Sequence, residues 1–259
     1  MTRQYYFISG LPRSGTTLLS AILRQNPKFQ ADISSPLARF ARAVIDQSSA
    51  QGGYRFECPE EKRKQIIKGM FDTYYDDASK EVCFNTNRGW TLLLPLLKDL
   101  YPYTKTIVCV RDINWVLDSF ENLVRKNPYS VSTMFTPEEN ANVYTRCQAL
   151  MREDRTVGFA YVGIKHAVTS NERNMMMFLE YDRLCKKPAE TMAALYKFIN
   201  QPHFEHDFSN VEYSNDEFDN DVNLKGLHTT RKKVEWVERK MILPPDIQQT
   251  FKGAEVWRA

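Results

Sequence analysis

The residues Gln4–Leu23, QYYFISGLPRSGTTLLSAIL, decide how the rest of the chain is read. Tyr5, Tyr6, Phe7 and Ile8 form a short aromatic and β-branched run with the composition of a buried strand. Gly10 to Gly15 holds two glycines, a proline and an arginine, and predicts a tight loop. Leu18, Leu19, Ile22 and Leu23 then recur at helical spacing, with Thr16 and Thr17 where the helix should begin.

The spacing Gly10-x4-Gly15-Thr16-Thr17 is that of a phosphate-binding loop with one departure, because Thr16 stands where a lysine usually follows the second glycine. The physics of the loop survives the change. Glycines permit unusual φ and close backbone approach. Successive N–H groups at a helix start face an anion, and the helix dipole favours it. Arg13 adds a rigid cationic fork for a phosphate or sulfate oxygen. The lysine that reaches the outer phosphates of a nucleoside triphosphate is missing, so a different phosphate-bearing ligand is expected.

The chain has 259 residues, 26% of them charged and 42% hydrophobic, which suits one folded domain over 1–259. The net charge of +3 makes no demand for nucleic acid and is compatible with an anionic ligand. Cys58, Cys83, Cys109, Cys147 and Cys185 form no CxxC pair and are odd in number, as expected of reduced thiols in a cytoplasmic protein. The first residues run directly into a strand, so no leader is expected. No apolar run approaches the ~20 residues of a membrane span.

Further along, Pro36 starts a helix over LARFARAVIDQ, capped by Ser34 or Ser35, with Leu37, Phe40, Ala41, Val44 and Ile45 as its apolar face. Asp32 precedes it, after a short strand, on the sheet edge where open α/β sheets bind ligands. Pro59 to Ser79 reads as one long amphipathic helix. Val82 to Phe84 is a buried strand followed by Asn85, Thr86, Asn87 and Arg88, then a helix from Trp90 to Leu100. Thr106 to Val110 is a second buried strand, ending in Arg111-Asp112, with Ser119 two turns into the next helix. At that spacing Arg111 and Ser119 can converge on one phosphate. Asn127 to Pro137 is a loop long enough to line a site. Helices are expected over Glu138–Arg155 and Gly158–Ser170, with His166 read as surface or core rather than as a catalyst. Asn174 to Asp182 is a third strand, and an acidic stretch from Gln201 gives way to a basic one around Arg231 and Lys232.

These elements resemble the sulfotransferases that use 3′-phosphoadenosine 5′-phosphosulfate (PAPS). PRSGTT resembles their 5′-phosphosulfate loop, and the strand–VRD–serine arrangement resembles their 3′-phosphate site. Tyr181-Asp182-x-Leu184 with Pro188 resembles the element whose tyrosine lies near the adenine. The basic segment stands where the family closes over its cofactor, and Leu243-Pro244-Pro245-Asp246 echoes the tyrosylprotein branch more than the cytosolic one. The resemblance implies an α/β fold of three layers around a mostly parallel, P-loop NTPase-like sheet, which the alternation of strands and helices also predicts.

It implies in-line transfer of a sulfuryl group from PAPS to an acceptor hydroxyl or amine, leaving adenosine 3′,5′-bisphosphate, with no metal. The cofactor-binding residues implied are Arg13, Ser14, Gly15, Thr16, Thr17, Arg111, Ser119, Tyr181 and Arg231. The catalytic candidates are Arg13, Arg88 and, as base, Asp32. Asn85 and Asn87 depart from the family, which places a lysine and, in cytosolic members, a histidine there; Asn87 could instead orient an acceptor. Two alternatives stand beside this reading: a P-loop kinase-like phosphotransferase, and a non-catalytic nucleotide-binding protein of the same fold. The acceptor class is unassigned, with a phenol, lipid, sugar or peptide tyrosine all compatible; no nucleic acid and no membrane span are expected, and a homodimer is left open.

Overall fold

A computed structural model of the chain describes residues 3–258 apart from 212, 214 and 215. Its five strands are β1 (Gln4–Gly10), β2 (Phe29–Ala31), β3 (Val82–Thr86), β4 (Thr106–Val110) and β5 (Met176–Glu180). They form one parallel sheet in the order β2-β3-β1-β4-β5. The helices are α1 (Thr16–Leu23), α2 (Leu37–Gln47), α3 (Glu60–Tyr74), α4 (Leu94–Leu100), α5 (Ile113–Lys126), α6 (Val143–Met151), α7 (Thr156–Thr169), α8 (Tyr181–Lys186), α9 (Pro188–Phe198), α10 (Asp216–Asp221) and α11 (Pro245–Thr250).

The aromatic run of β1 is buried on both faces because the pleat splits it. Tyr5 and Phe7 enter the core beneath α2 to α7, while Tyr6 and Ile8 enter the opposite core with Leu19, Ile22 and Leu23 of α1. The neighbouring strands divide in the same way, with Val108 and Val110 on the first side and Ile107 and Cys109 on the second. Fully burying each large side chain contributes about 1.5–3 kcal/mol. Helices therefore cover both sheet faces, as the alternating sequence predicts.

The chain leaves β1 for β2 and β3 on one side, then crosses to β4 and β5 on the other. A sheet that reverses direction in this way opens a crevice at the carboxyl ends of its central strands. The loop after β1, Asn87-Arg88 after β3, Arg111 after β4 and Tyr181 after β5 all stand at those ends.

Several boundaries differ from expectation, each for a local reason. Helix α3 stops at Tyr74 rather than Ser79: Tyr75 turns fully inward, and Asp77 accepts from both the N–H and the hydroxyl of Ser79, closing a turn. The single helix expected from Trp90 is a 3-10 turn over Arg88–Leu92 followed by α4, because Pro95 cannot continue a helical ladder and instead begins one. The Glu138–Arg155 segment is helical only over α6, which Asn142 and Thr145 start with a reciprocal cap. Tyr181 and Asp182 open α8 instead of ending β5. Phe40 is half exposed, so the apolar face of α2 is narrower than its sequence implies.

Candidate active site

The loop after β1 is shaped by two positions that only glycine fills. Gly10 has φ of 126°, and a Cβ there would lie 2.0 Å from the Cys109 carbonyl oxygen. Gly15 has φ of 93°, and its Cβ would lie 2.8 Å from the Tyr181 ring. The Ser14 hydroxyl donates to the carbonyls of Leu11 at 2.5 Å and Cys109 at 2.9 Å, fastening the loop to β4. Ser14 thus shapes the loop through its hydroxyl and is absent from the cleft wall. Helix α1 then begins with Gly15 at its cap, no side-chain cap and no acid in its first turn. Its first N–H groups have no carboxylate or hydroxyl competing with an anion for them.

A second cationic pole lies beside this cradle. Arg13 donates from Nε to Ser119 Oγ at 3.0 Å and from Nη1 to the Leu227 carbonyl. Arg111 donates to the Arg13 carbonyl at 3.3 Å, and its guanidinium lies 4.2 Å from the centroid of the Tyr181 ring. Tyr181 therefore packs between Gly15 and Arg111. Burial, with Arg111 and Arg239 close by, pushes the Arg13 guanidinium down to about 10. Burial and Arg239 also hold Arg111 below its ordinary value. Arg111 Nε is buried and has no hydrogen-bond partner among the described residues. A buried guanidinium donor without a partner, set beside like charges, is suited to an anion.

Arg239 belongs to the strap formed by residues 222–239, which crosses the cleft. The strap is anchored by Ser132 Oγ donating to the Val222 carbonyl at 2.8 Å, by Arg13 on Leu227, and by Arg239 on Asp118. Asp118 is fully buried on α5 and also accepts from the Ile242 N–H at 2.6 Å. The Arg239 guanidinium lies 4.8 Å from the Trp115 ring centroid. The cleft between strap, sheet edge and helices α2, α5 and α7 measures about 1410 Å³. A pocket for one drug-sized ligand is about 300–1,000 Å³, so a nucleotide and an acceptor fit together.

The end of β3 is a closed polar knot. Asn85 donates to Ser35 Oγ and to the Tyr75 hydroxyl, both at 2.7 Å, and accepts from Trp90 Nε1 at 2.9 Å. Tyr75 donates in turn to the Asp32 carboxylate. Asp32 is nearly buried, its acidity weakened chiefly by desolvation, and it does not line the cleft. Asn87 does line it, yet both ends of its amide are used: it donates to the Ser35 carbonyl at 2.7 Å and caps the 3-10 turn by accepting from Gly89 at 2.9 Å. Arg88 projects into the open cleft without an ion pair among the described residues, held below its usual pKa by its enclosed surroundings and by Arg39.

Residues 6–206 match the model of the sulfotransferase family. The chain belongs to that family. The sulfotransferase is 24% identical over 247 residues to a Caenorhabditis briggsae protein named "Putative protein-tyrosine sulfotransferase", covering 86% of this chain and 79% of that one. Its fold is similar to the sulfotransferase of Alicyclobacillus acidocaldarius, with a TM-score of 0.54, 16% identity and coverage of 86% and 90% of the two chains. It is also similar to a sulfotransferase domain from the curacin biosynthetic pathway, at a TM-score of 0.50 and 16% identity, covering 79% and 76%.

In this sulfotransferase the cleft wall gathers Arg13, Gly15, Thr16, Thr17, Arg88, Arg111, Ser119, Tyr181 and Arg231 from six separate stretches of sequence. Asp32 is not brought to them, because its carboxylate faces Tyr75 on the far side of the β3 end. His166 is exposed on α7 and off the cleft. The sequence reading missed Arg39, Arg239 and a histidine, His228, whose imidazole meets Asp219 at 2.8 Å. For Arg239 a signal existed: Asp118 lies among Val116, Leu117 and Phe120 on the buried face of α5, where a carboxylate requires a partner. Among the described residues no group of three or more His, Cys, Asp or Glu side chains is placed to hold a metal ion, and no helix is long and apolar enough to cross a membrane.

Proposed function

We propose that the protein transfers the sulfuryl group of PAPS to an acceptor hydroxyl or amine. One observation carries this: Arg13, Arg111 and Ser119 converge beside a glycine cradle at a helix start, giving two anion-binding poles in one cleft. A nucleotide with phosphate groups at both its 3′ and 5′ positions needs two poles. The orphaned Arg111 Nε and the depressed guanidinium pKa values fit such a ligand. In this reading Gly15, Thr16 and Thr17 hold the phosphosulfate through the helix start. Arg111 and Ser119 hold the 3′-phosphate, and Tyr181 and Arg231 close the nucleotide side.

Charge grows on the bridging and equatorial oxygens during in-line transfer, so Arg13 and Arg88 act most strongly in the transition state. The acceptor arm is the stretch between α2 and α7, lined by Arg39, Arg88 and Phe159. The named relative supports a tyrosine phenol as the first acceptor to try. The five unpaired cysteines support a reducing, cytoplasmic setting.

The test has two arms. Adenosine 3′,5′-bisphosphate without magnesium should raise the melting temperature, by about 2.7 kcal/mol of mass-action stabilisation at 100 times Kd. Mg-ATP should do much less, and equal or greater stabilisation by it would turn the assignment toward a kinase. Sulfur-35 PAPS is then offered with a tyrosine peptide, 2-naphthol and an amino sugar. Binding of the bisphosphate with no transfer to any of them would leave a nucleotide-binding protein without this activity.

A further inference from the structure

The acceptor arm of the cleft carries positive charge that the chain itself does not neutralise. Arg39 on α2 and Arg88 after β3 both line it, close enough for the Arg39 charge to act on Arg88. Neither side chain makes a hydrogen bond or an ion pair among the described residues. The acids of the wall are already taken: Asp46 pairs with Arg42, Asp154 with Arg152 and Glu235 with Lys233. Arg155, on the same wall, pairs with Glu139. Two guanidiniums held side by side repel each other, and an anion bound against them relieves that repulsion.

Their relative placement is fixed by the polar contacts at the β3 end. Asn87 donates to the Ser35 carbonyl at 2.7 Å and accepts from the Gly89 N–H at 2.9 Å. The turn that bears Arg88 is thereby tied to the start of the helix that bears Arg39. Beside the two arginines the surface is apolar. A Cβ at Gly89 would lie 3.9 Å from Ala38 Cβ and 4.0 Å from Phe159 Cε1, so α2, the turn and α7 approach van der Waals contact there. Ala38, Gly89 and Phe159 all line the cleft, with Leu92 and Leu93. Phe159 is 38% exposed, an aromatic face left open for a flat apolar body to pack on. The phosphates and sulfate of the donor have seats elsewhere, on the cradle and at Arg111 and Ser119.

We propose that Arg39, reinforced by the charge of Arg88, selects an acceptor that carries a carboxylate on the same flat apolar body as its hydroxyl. This inference rests on the function proposed above and names its substrate class, a hydroxyaryl carboxylate. Arg88 keeps its part in transfer, while Arg39 decides which acceptor is taken. The ring lies along Ala38, Gly89 and Phe159, and the carboxylate meets the Arg39 guanidinium, whose fork suits that group.

The experiment compares kcat/KM of the full chain, with sulfur-35 PAPS, for three phenols of similar size: 4-hydroxyphenylacetate, neutral 4-ethylphenol and cationic tyramine. Tyrosine peptides flanked by glutamate or by glutamine are run beside them. The carboxylate should be preferred over 4-ethylphenol by at least about tenfold, the worth of one charge-assisted contact, and tyramine should be poorest. Arg39→Gln should abolish the preference for the carboxylate, Arg39→Lys should keep part of it, and Arg39→Glu should turn it toward tyramine. The Kd for adenosine 3′,5′-bisphosphate should stay within about threefold in all three variants. Calorimetry of the same phenols on the chain saturated with the bisphosphate reads the preference without turnover. A carboxylate preference below about threefold in the unaltered chain, or an undiminished one in Arg39→Gln and Arg39→Glu, overturns the proposal. So does a preference seen only between the two peptides, which would make the acceptor an acidic peptide. Carboxylate-selective binding that Arg39→Gln removes, with transfer to none of the acceptors, would support the Arg39 site and overturn the proposed function. Absence of both binding and transfer overturns both.

Discussion

Arg13 Nε donates to Ser119 Oγ at 3.0 Å, joining the loop after β1 to α5 across 106 positions of sequence. The sequence assigns these two residues to opposite ends of the nucleotide, Arg13 to the sulfuryl group and Ser119 to the 3′-phosphate. Their contact means that one guanidinium bridges the two poles while its Nη1 holds the Leu227 carbonyl of the strap. Arg13→Ala should therefore have two effects. Single-turnover transfer should fall by about 10²–10³, the cost of one transition-state donor. Proteolysis within residues 222–239 should also quicken, since an anchor is gone. An Arg13→Ala enzyme with near-normal single-turnover rate removes Arg13 from catalysis.

Arg111→Ala should weaken adenosine 3′,5′-bisphosphate by about 1.5–3 kcal/mol, the range for a hydrogen bond to a charged group. Adenosine 5′-phosphate lacks the 3′-phosphate and should lose much less. Calorimetry on both ligands separates the cases. An equal loss would mean that Arg111 acts only by holding Tyr181 and the Arg13 carbonyl in place.

Gly15→Ala places a Cβ at 2.8 Å from Tyr181 Cδ2 on a residue with φ of 93°. The left-handed conformation alone costs roughly 1–2 kcal/mol for a residue with a Cβ. Tyr181 must also shift, taking Arg111 with it. The variant should melt lower and bind adenosine 3′,5′-bisphosphate at least tenfold more weakly, a loss of about 1.4 kcal/mol. Unchanged affinity would show that the cradle is not where the nucleotide binds.

Asp32→Asn should leave single-turnover transfer unchanged, because an amide oxygen can still accept from Tyr75. The substitution should alter the pH dependence of stability instead. Desolvation raises the pKa of Asp32 in the fold, so the folded chain holds that proton more tightly than the unfolded one. Stability from this group is present below the ordinary carboxylate pKa and falls as pH rises toward the raised value. Urea unfolding at several pH values should show that slope in the unaltered chain and its loss in Asp32→Asn. A large drop in turnover would return Asp32 to the catalytic residues.

His206 gives a slope of the opposite sign. Its pKa is pushed down to about 4 from 6.5, chiefly by burial, and its Nδ1 is buried with no partner among the described residues. The unfolded chain takes up a proton there before the folded one does. Stability should thus fall as pH drops from 6.5 toward 4, and His206→Gln should flatten that fall in the same urea series. An unchanged profile would mean that other groups dominate acid unfolding.

The features written in local sequence were legible. The split aromatic run of β1 and the glycine loop each depend on residues a few positions apart, where pleat and helix period settle geometry. What escaped depends on long-range partners. Asp32 reads as a cleft residue until Tyr75, 43 positions later, turns its carboxylate away. Asn85 reads as a lost cation until Ser35 and Trp90 show it to be the hub of a buried knot. His228 lies in a stretch with no hydrophobic period, and only the turn built on Asp219 gives it an orientation.

The strap lies outside residues 6–206, the span that matches the family, yet it roofs the cleft and carries Arg231, His228 and Arg239. The cradle and the roof are thus distinct segments of the chain, joined by the side chains of Arg13, Asp118 and Ser132 among others. A protein divided in this way can be re-engineered by transplant. Exchanging residues 222–239 for a relative's segment, with the seats of Arg13 and Asp118 retained, would change acceptor choice while the donor cradle keeps its shape.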